Sequence, residues 1–227
     1  MIDTHSHLFV EEFDEDLPAV IERARDSGVS KVFMPNIDDT TVEAMLNVCT
    51  AYKGYCFPMI GFHPTSVGAD SLFRIYEMKK LLSGEHPFVA VGEVGMDLYW
   101  DKTYLKEQQK ALDIQIQWAL EYHLPLVLHC REAVPELFEV MEPYKKTELS
   151  GIFHSFTGTL EEAGQVLEYA RFFFGINGVV TFKKSSLPEI LTHLNLARIV
   201  LEPDSPYLAP VPFMGRRNEA YYIKSVA

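Results

Sequence analysis

Short apolar segments alternate with amphipathic segments of helical period from one end of the chain to the other. The apolar segments are rich in β-branched residues, as expected for strands that are buried on both faces. There are eight of them: "MIDTHSHL", "VSKVFMPNI", "YCFPMIGFHP", "FVAVGEVGMD", "LPLVLHCRE", "SGIFHSFTG", "RFFFGINGVVTF" and "ARIVLEPDSPYL". Alternating strands and helices predict a parallel sheet, and eight such units predict an α/β fold, a (β/α)8 barrel of the TIM type, as one domain over residues 1–227.

The last strand lacks room for a helix after it. Each of the first seven strands is followed by a segment of helical period, but after "VPFMGRRNEA" only "YYIKSVA" remains. We therefore expect a barrel whose last helix is truncated or missing from this chain. Such a barrel is either open on one side or completed by residues outside this chain.

Polar residues interrupt the apolar strands at their C-terminal ends. Burying such residues costs free energy unless they are paired, and in a barrel this rim carries the active site. His5 and His7 are two residues apart on the first strand, so their side chains face the same side. Nitrogen and oxygen ligands from five strands would converge there: His5, His7, Glu93, His129, His154 and Asp204. A lone His-x-His pair is often only a hydrogen-bonded pair, but four further ligands on neighbouring strand ends favour a metal site.

Six ligands are more than one catalytic ion with an open position requires, so they predict two ions and a bridging carboxylate. Glu93, on a middle strand, is the expected bridge. Imidazole and carboxylate together suit zinc, manganese or iron and do not single one out. His63 lies on the same rim, and we expect it to donate to a substrate rather than to bind metal. The other histidines, in a loop or in helices, predict surface or capping roles: His86, His123 and His193.

Composition and charge limit the classes of function. No apolar run is long enough to span a bilayer and the N-terminus lacks a signal pattern, so we expect no membrane partner. Three cysteines without a Cys-x-x-Cys pair (Cys49, Cys56 and Cys130) favour a reducing, cytoplasmic setting. The net charge of −12 disfavours a non-enzymatic nucleic-acid-binding protein, which usually has a basic face. It leaves room for a nuclease with bound metal cations.

Six motifs in order resemble the TatD family of metal-dependent deoxyribonucleases, which are amidohydrolase-like barrels: "MIDTHSHL", "GFHP", "VAVGEVGMD", "LPLVLHCRE", "GIFHSFTG" and "LEPDSPYL". The resemblance extends over nearly the whole chain. It implies that one metal is bound by His5, His7 and Asp204, and that Glu93 bridges to a second. It also implies that the second metal is completed by His129 and His154.

The same resemblance implies roles toward the substrate. His63 and Arg131 match positions expected to meet the substrate phosphate, and Asp204 matches the candidate general base. The stretch "GRRNEA" resembles the family's "RNEP", with Ala220 in place of proline, so we expect Arg217 to contact phosphate too. Pro203 replaces the usual threonine before the eighth-strand aspartate, which removes a hydroxyl and a backbone donor. These departures remove no metal ligand.

Three functions compete. The first is a metal-dependent phosphodiesterase, a DNA exonuclease acting on single-stranded ends, because a terminal nucleotide enters a barrel mouth more easily than a duplex does. The alternative is an amidohydrolase-type hydrolase of C–N or ester bonds; many of these have a carboxylated lysine where this chain has Glu93. The third, a non-catalytic metal-stabilised binding protein, is disfavoured by the complete ligand set. We expect a cytoplasmic monomer or weak oligomer with two divalent ions per chain (zinc, magnesium or manganese).

Overall fold

The computed structural model describes residues 1–227 and contains eight parallel strands in chain order. The strands form a three-stranded sheet, β1 to β3, and a five-stranded sheet, β4 to β8. Their bounds are β1 Ile2–Asp3, β2 Lys31–Met34, β3 Cys56–Pro58, β4 Val91–Asp97, β5 Leu126–Arg131, β6 Gly151–Phe153, β7 Phe172–Ile176 and β8 Ile199–Leu201.

Two narrow seams connect the sheets into a ring. Between β3 and β4 a parallel bridge pairs Ile60 with Val91, and between the ends of β8 and β1 another pairs Ser6 with Ser205. The backbone N–H of His7 donates to the Ser205 carbonyl at 2.8 Å, which reinforces the second seam. The predicted (β/α)8 barrel is thereby confirmed.

Seven α-helices follow the first seven strands. They are α1 Leu17–Asp26, α2 Val42–Ala51, α3 Ser71–Lys79, α4 Leu105–Glu121, α5 Val134–Met141, α6 Leu160–Leu167 and α7 Leu187–Leu191. After β8 the chain forms only a short 3-10 helix, Ala220–Ser225, which packs against α1. As the length of the final segment predicts, no full outer helix follows the eighth strand.

Most strands are shorter than the sequence pattern suggests, and in β1 and β7 the cause is visible. The pairing of β1 with β2 ends at Asp3. Beyond it the Ser6 N–H still donates to the Phe33 carbonyl of β2, and the next residue, His7, donates to the Ser205 carbonyl beyond β8. In "RFFFGINGVVTF" the strand ends because the Asn177 side chain accepts from the Val179 N–H at 3.1 Å and starts a 3-10 helix. Local side-chain hydrogen bonds of this kind compete with the sheet ladder.

Packing fixes the strands that carry the polar residues. One hydrophobic core of 49 buried residues runs from Leu8 to Ile223. All seven residues of β4 are buried, including the carboxylates Glu93 and Asp97. Buried carboxylates must be paired, so β4 is where the polar partners of the barrel have to gather.

None of the helices combines the length and the apolar character that crossing a bilayer requires. The cytoplasmic location and the oligomeric state stay predictions.

Candidate metal centre

A cavity of about 600 Å³ opens at the C-terminal ends of the strands. Its volume is in the range of small-molecule sites. Beneath it, His5 is completely buried against Glu93. Among the residues that line it are seven of those expected from sequence: His7, His63, Glu93, His129, Arg131, His154 and Asp204. The fold therefore brings together all the sequence-predicted site residues except Arg217.

The two carboxylate oxygens of Glu93 face two different groups of histidines. Oε2 lies 3.1 Å from Nε2 of His5 and 3.5 Å from Nε2 of His7. Oε1 lies 3.0 Å from Nδ1 of His129 and 3.5 Å from Nε2 of His63. Burial opposes ionisation of this carboxyl, but the surrounding histidines hold its pKa well below the usual range. One ionised carboxylate thus connects both halves of the cluster.

In His7 and His129 the ring nitrogen that faces away from Glu93 has a hydrogen-bond acceptor beside it, and this acceptor shows which nitrogen carries the proton. Nδ1 of His7 is 3.1 Å from the Pro35 carbonyl, which can only accept, so the lone pair of the neutral ring is on Nε2. Nε2 of His129 is 2.8 Å from Asp97 Oδ2, which leaves the lone pair of its neutral ring on Nδ1. Both lone pairs are directed toward Glu93. Lone pairs aimed at a carboxylate oxygen are favourable when a cation lies between them.

His154 also has a carboxylate beside its outer nitrogen, but the contact is an ion pair without hydrogen-bond geometry. Its Nδ1 is 2.9 Å from Oε1 of Glu202, and its Nε2 is 3.6 Å from Oδ2 of Asp204. The His5 ring stacks on it with centroids 3.4 Å apart. Burial lowers the pKa of His154, but the surrounding carboxylates outweigh burial and raise the pKa to about 10. Glu202 is completely buried and its Oε2 has no partner within the protein.

His63 differs from these histidines. The Thr65 backbone N–H donates to its Nδ1 at 3.2 Å, so the neutral ring carries its proton on Nε2, the nitrogen that faces Glu93. Burial lowers its pKa, which favours this neutral form. A protonated Nε2 donates a hydrogen bond and has no lone pair for a metal. This supports the expectation that His63 donates to the substrate.

Asp204 is held by its backbone at the edge of the cluster. Its N–H donates to the His5 carbonyl at 3.0 Å, and its φ of +63° turns the chain toward the cavity. Burial, with Glu93 and other carboxylates nearby, raises its pKa to about 7 against the opposing effect of His154. The buried Asn218 amide donates to the carbonyls on either side of this turn, those of Pro203 and Tyr207.

The donor set fits divalent ions. Four-coordinate zinc with ligands at about 2.0–2.2 Å keeps neighbouring ligand atoms roughly 3.3 Å apart. Two groups have ligand atoms within 4.8 Å of one another, His5–His7–Glu93 and His63–Glu93–His129, and in the second only Glu93 and His129 offer a lone pair. They lie on opposite oxygens of Glu93. A third such group joins His5 and His154 to Glu202.

Two buried carboxylates contribute to the site without having been predicted to belong to it. Asp97 ends the fourth strand, and its even spacing from Glu93 along β4 could have indicated a shared face. Glu202 lies just beyond the end of β8, where the chain is no longer a strand, so spacing gives no such signal for it. Each lies behind a histidine ring. Asp97 also hydrogen-bonds Nε2 of His129, a role that fixes the ring and its proton, whereas Glu202 forms an ion pair with His154.

We predict that Asp97→Asn lowers divalent-metal affinity about 10- to 100-fold, because the amide no longer fixes the proton on Nε2 of His129. The measurement is a metal titration by calorimetry. Asp101→Asn, an exposed position in the next loop, is the control and should bind metal as the wild type does. If Asp97→Asn binds divalent metal as tightly as the wild type does, His129 is not a metal ligand.

Arg131 and Arg217 have different surroundings. Arg131 lines the cavity, is exposed and forms no ion pair within the protein. Arg217 instead pairs with Asp16 at 2.7 Å and with Glu219 at 2.8 Å, and its guanidinium lies 4.8 Å from the centre of the Phe13 ring. It does not line the cavity. Its placement supports a structural role joining the C-terminal segment to α1, and gives no support to the expected phosphate contact.

We predict that Arg217→Ala lowers the free energy of unfolding by about 1 kcal/mol at neutral pH, the scale of a part-exposed ion pair. Hydrogen bonds from Arg217 lower the pKa of Asp16 from 3.8 to about 2. A lowered pKa stabilises the fold above pH 3.8, and this contribution is lost as the pH falls toward 2. The stability gap between the variant and the wild type, measured by urea unfolding, should therefore narrow on acidification. Weakened DNA binding without lost stability would restore the phosphate-binding role.

Comparison with known proteins places the chain in a family. The family model described as "TatD related DNase" matches residues 2–227. The YabD protein of Bacillus subtilis, named an uncharacterized metal-dependent hydrolase, is 34% identical over all of this chain and 88% of its own length. A Pantoea protein named 3′-5′ ssDNA/RNA exonuclease TatD is 30% identical, with coverage of 100% and 88%.

A solved structure agrees with the sequence relatives. The crystal structure of YjjV, a TatD homologue from Escherichia coli, superposes with a TM-score of 0.88 at 27% identity, covering all of this chain and 87% of that one. The barrel, the histidine–carboxylate cluster and the match along the whole chain agree with one another. The chain therefore belongs to the TatD family and is a metal-dependent hydrolase.

Proposed function

We propose that this protein is a phosphodiesterase that removes nucleotides from single-stranded DNA ends and that uses two divalent ions. The observation that carries the proposal is the position of Glu93, whose two oxygens face separate histidine groups on the floor of the cavity. Paired ions bridged by a carboxylate are an arrangement that phosphoryl-transfer enzymes use. The ions stabilise both the attacking and the leaving oxygen of the displacement.

The proton positions favour one division of the ligands. His5, His7 and Asp204 would hold one ion, and His129 and His154 the other, with Glu93 between them. His154 Nε2 is 3.8 Å from Glu93 Oε1, slightly farther than His63 at 3.5 Å. We nevertheless assign the metal to His154. Glu202 lies 2.9 Å from its outer Nδ1, so when the ring loses a proton to bind an ion, the lone pair falls on the inward Nε2. Bound ions would supply Lewis acidity to the phosphate and to the attacking water.

The chain supplies the remaining steps. Asp204 lines the cavity beside His154, at 3.6 Å from its Nε2, and would accept the proton of the attacking water as a general base. His63 would donate a hydrogen bond from Nε2 to a phosphate oxygen. Arg131 would pair with a phosphate of the same strand, because a planar guanidinium matches phosphate oxygens in pairs.

The shape of the site favours ends of single strands. Glu93 and His5 lie at the bottom of the cavity and are almost inaccessible to solvent. A continuous duplex cannot reach a phosphate placed there, whereas a terminal nucleotide can enter. Several relatives are named 3′-5′ ssDNA/RNA exonucleases, which supports this substrate class and makes RNA and the 3′ end the first to test.

The test is a nuclease assay on DNA and RNA labelled at either end, single-stranded and duplex, with magnesium, manganese or zinc, and with EDTA. We expect stepwise, metal-dependent shortening of single strands. A panel of amides and lactones under the same conditions tests the amidohydrolase alternative. Turnover of an amide or lactone without any shortening of nucleic acid would overturn the proposal in favour of that alternative.

We predict a weak salt dependence of DNA binding. The protein has a net charge of −12, and Arg131 is the only lysine or arginine that lines the cavity. Each neutralised phosphate contributes a log–log slope of about −0.7 for single strands, so one phosphate at the metal centre and one at Arg131 give a slope of roughly −1 to −2. Arg131→Ala should make the slope shallower by about 0.7. A slope unchanged by this substitution would show that Arg131 does not contact phosphate.

A further inference from the structure

Large aromatic side chains lie exposed at the mouth of the cavity. Trp100 is 71% exposed and lines the cavity, and its neighbour Tyr99 is 46% exposed. Their rings meet edge to face with centroids 4.8 Å apart, which leaves a face of the indole open to solvent. Keeping an indole exposed forgoes one of the largest burial contributions available to a side chain, so its place beside the metal centre calls for a ligand.

The segment that carries these rings is fixed to the metal centre through one carboxylate. Asp97 Oδ1 accepts from the Tyr99 N–H at 3.0 Å and from the Trp100 N–H at 3.4 Å. Its other oxygen, Oδ2, lies 2.8 Å from Nε2 of His129. The aromatic pair therefore has a defined position relative to the candidate ligands.

A cation completes the surface. The Arg131 guanidinium lies 3.6 Å from the centre of the Tyr99 ring and 5.4 Å from that of Trp100. It forms no ion pair, so its charge remains available to an anion. An aromatic face next to an unpaired arginine matches a nucleotide, which offers a flat base and a phosphate together.

We propose that Trp100, supported by Tyr99 and Arg131, is a stacking platform for the nucleobase adjacent to the phosphate bound at the metal centre. This inference rests on the proposed nuclease function and specifies how that site recognises its substrate. A base can stack on an exposed indole only when it is unpaired, so the platform would select single-stranded nucleic acid. Because every base has a flat face, it would select little among sequences.

The first test compares cleavage of two oligonucleotides that differ only at the nucleotides flanking the scissile phosphate, one with adenines and one abasic. Trp100→Ala should lower kcat/KM about 5- to 150-fold on the adenine substrate and little on the abasic one. Trp100→Phe should retain most activity. Phe73→Ala is the matched control, because Phe73 is also 71% exposed but lies on α3 away from the cavity. Equal losses on both substrates, or none, would overturn the platform.

The second test does not depend on turnover. The chain has two tryptophans. Because Trp118 is only 1% exposed, a change in the emission of solvent-exposed tryptophan reports on Trp100. We expect a slowly hydrolysed phosphorothioate trideoxyadenylate to quench this emission saturably, its abasic analogue to quench it much less, and Trp100→Phe to abolish the difference. Quenching without any cleavage by the wild type would reject the nuclease proposal and keep the platform. Cleavage without quenching would reject the platform and keep the nuclease.

Discussion

Glu93→Gln is expected to lower phosphodiesterase activity at least about 10³-fold and to reduce bound metal, the largest loss in the site. The carboxylate faces histidine nitrogens with both of its oxygens, at 3.1 and 3.0 Å. Glutamine keeps the size but removes the negative charge, and its NH₂ group would point a donor at one ligand group. Activity and metal content by mass spectrometry are the measurements.

His63→Ala provides the comparison. As a hydrogen-bond donor to a charged phosphate, His63 should contribute about 1.5–3 kcal/mol, or roughly 10- to 150-fold, mainly in substrate binding. Metal content should stay at the wild-type level in this variant. If the two variants lose activity and metal to the same extent, Glu93 is not a bridge with a role distinct from that of His63.

Asp204→Asn is expected to lower kcat about 10²- to 10⁴-fold at saturating metal, the range of a lost general base. The substitution keeps the side chain's size and the backbone turn that His5 and Asn218 hold, so the fold should persist. Asp101→Asn, at an exposed loop position, is the control for removing one negative charge. A value of kcat within tenfold of the wild type would assign proton transfer to another group.

Most of the fold follows from local pattern. The alternation of buried strands and amphipathic helices fixes the order of the elements, and the barrel topology then places strand ends on one rim. This is why residues as distant in sequence as His5, Glu93 and His154 could be expected to meet. The ends of strands are less predictable, because side chains such as Asn177 compete for backbone hydrogen bonds there.

The sequence did not predict Glu202 and did not predict the ion pairs of Arg217, because in both cases the partner is set by packing and not by local pattern. Glu202 was not expected because its partner is the outer nitrogen of His154, and nothing local in "LEPDSPYL" shows which carboxylate lies behind a ring. Arg217 was expected at the phosphate because "GRRNEA" resembles the family's "RNEP" stretch. Its partner Asp16 is 201 residues away in sequence, and only the packing of the C-terminal segment on α1 brings them together.

The central claim is that one carboxylate bridges two divalent ions at the barrel mouth. Its most direct test is the anomalous difference density of crystals grown with manganese or zinc. We expect two peaks roughly 3.5–4 Å apart on either side of Glu93, one beside His5 and His7 and one beside His129. A single peak, or peaks away from Glu93 at saturating metal, would contradict it.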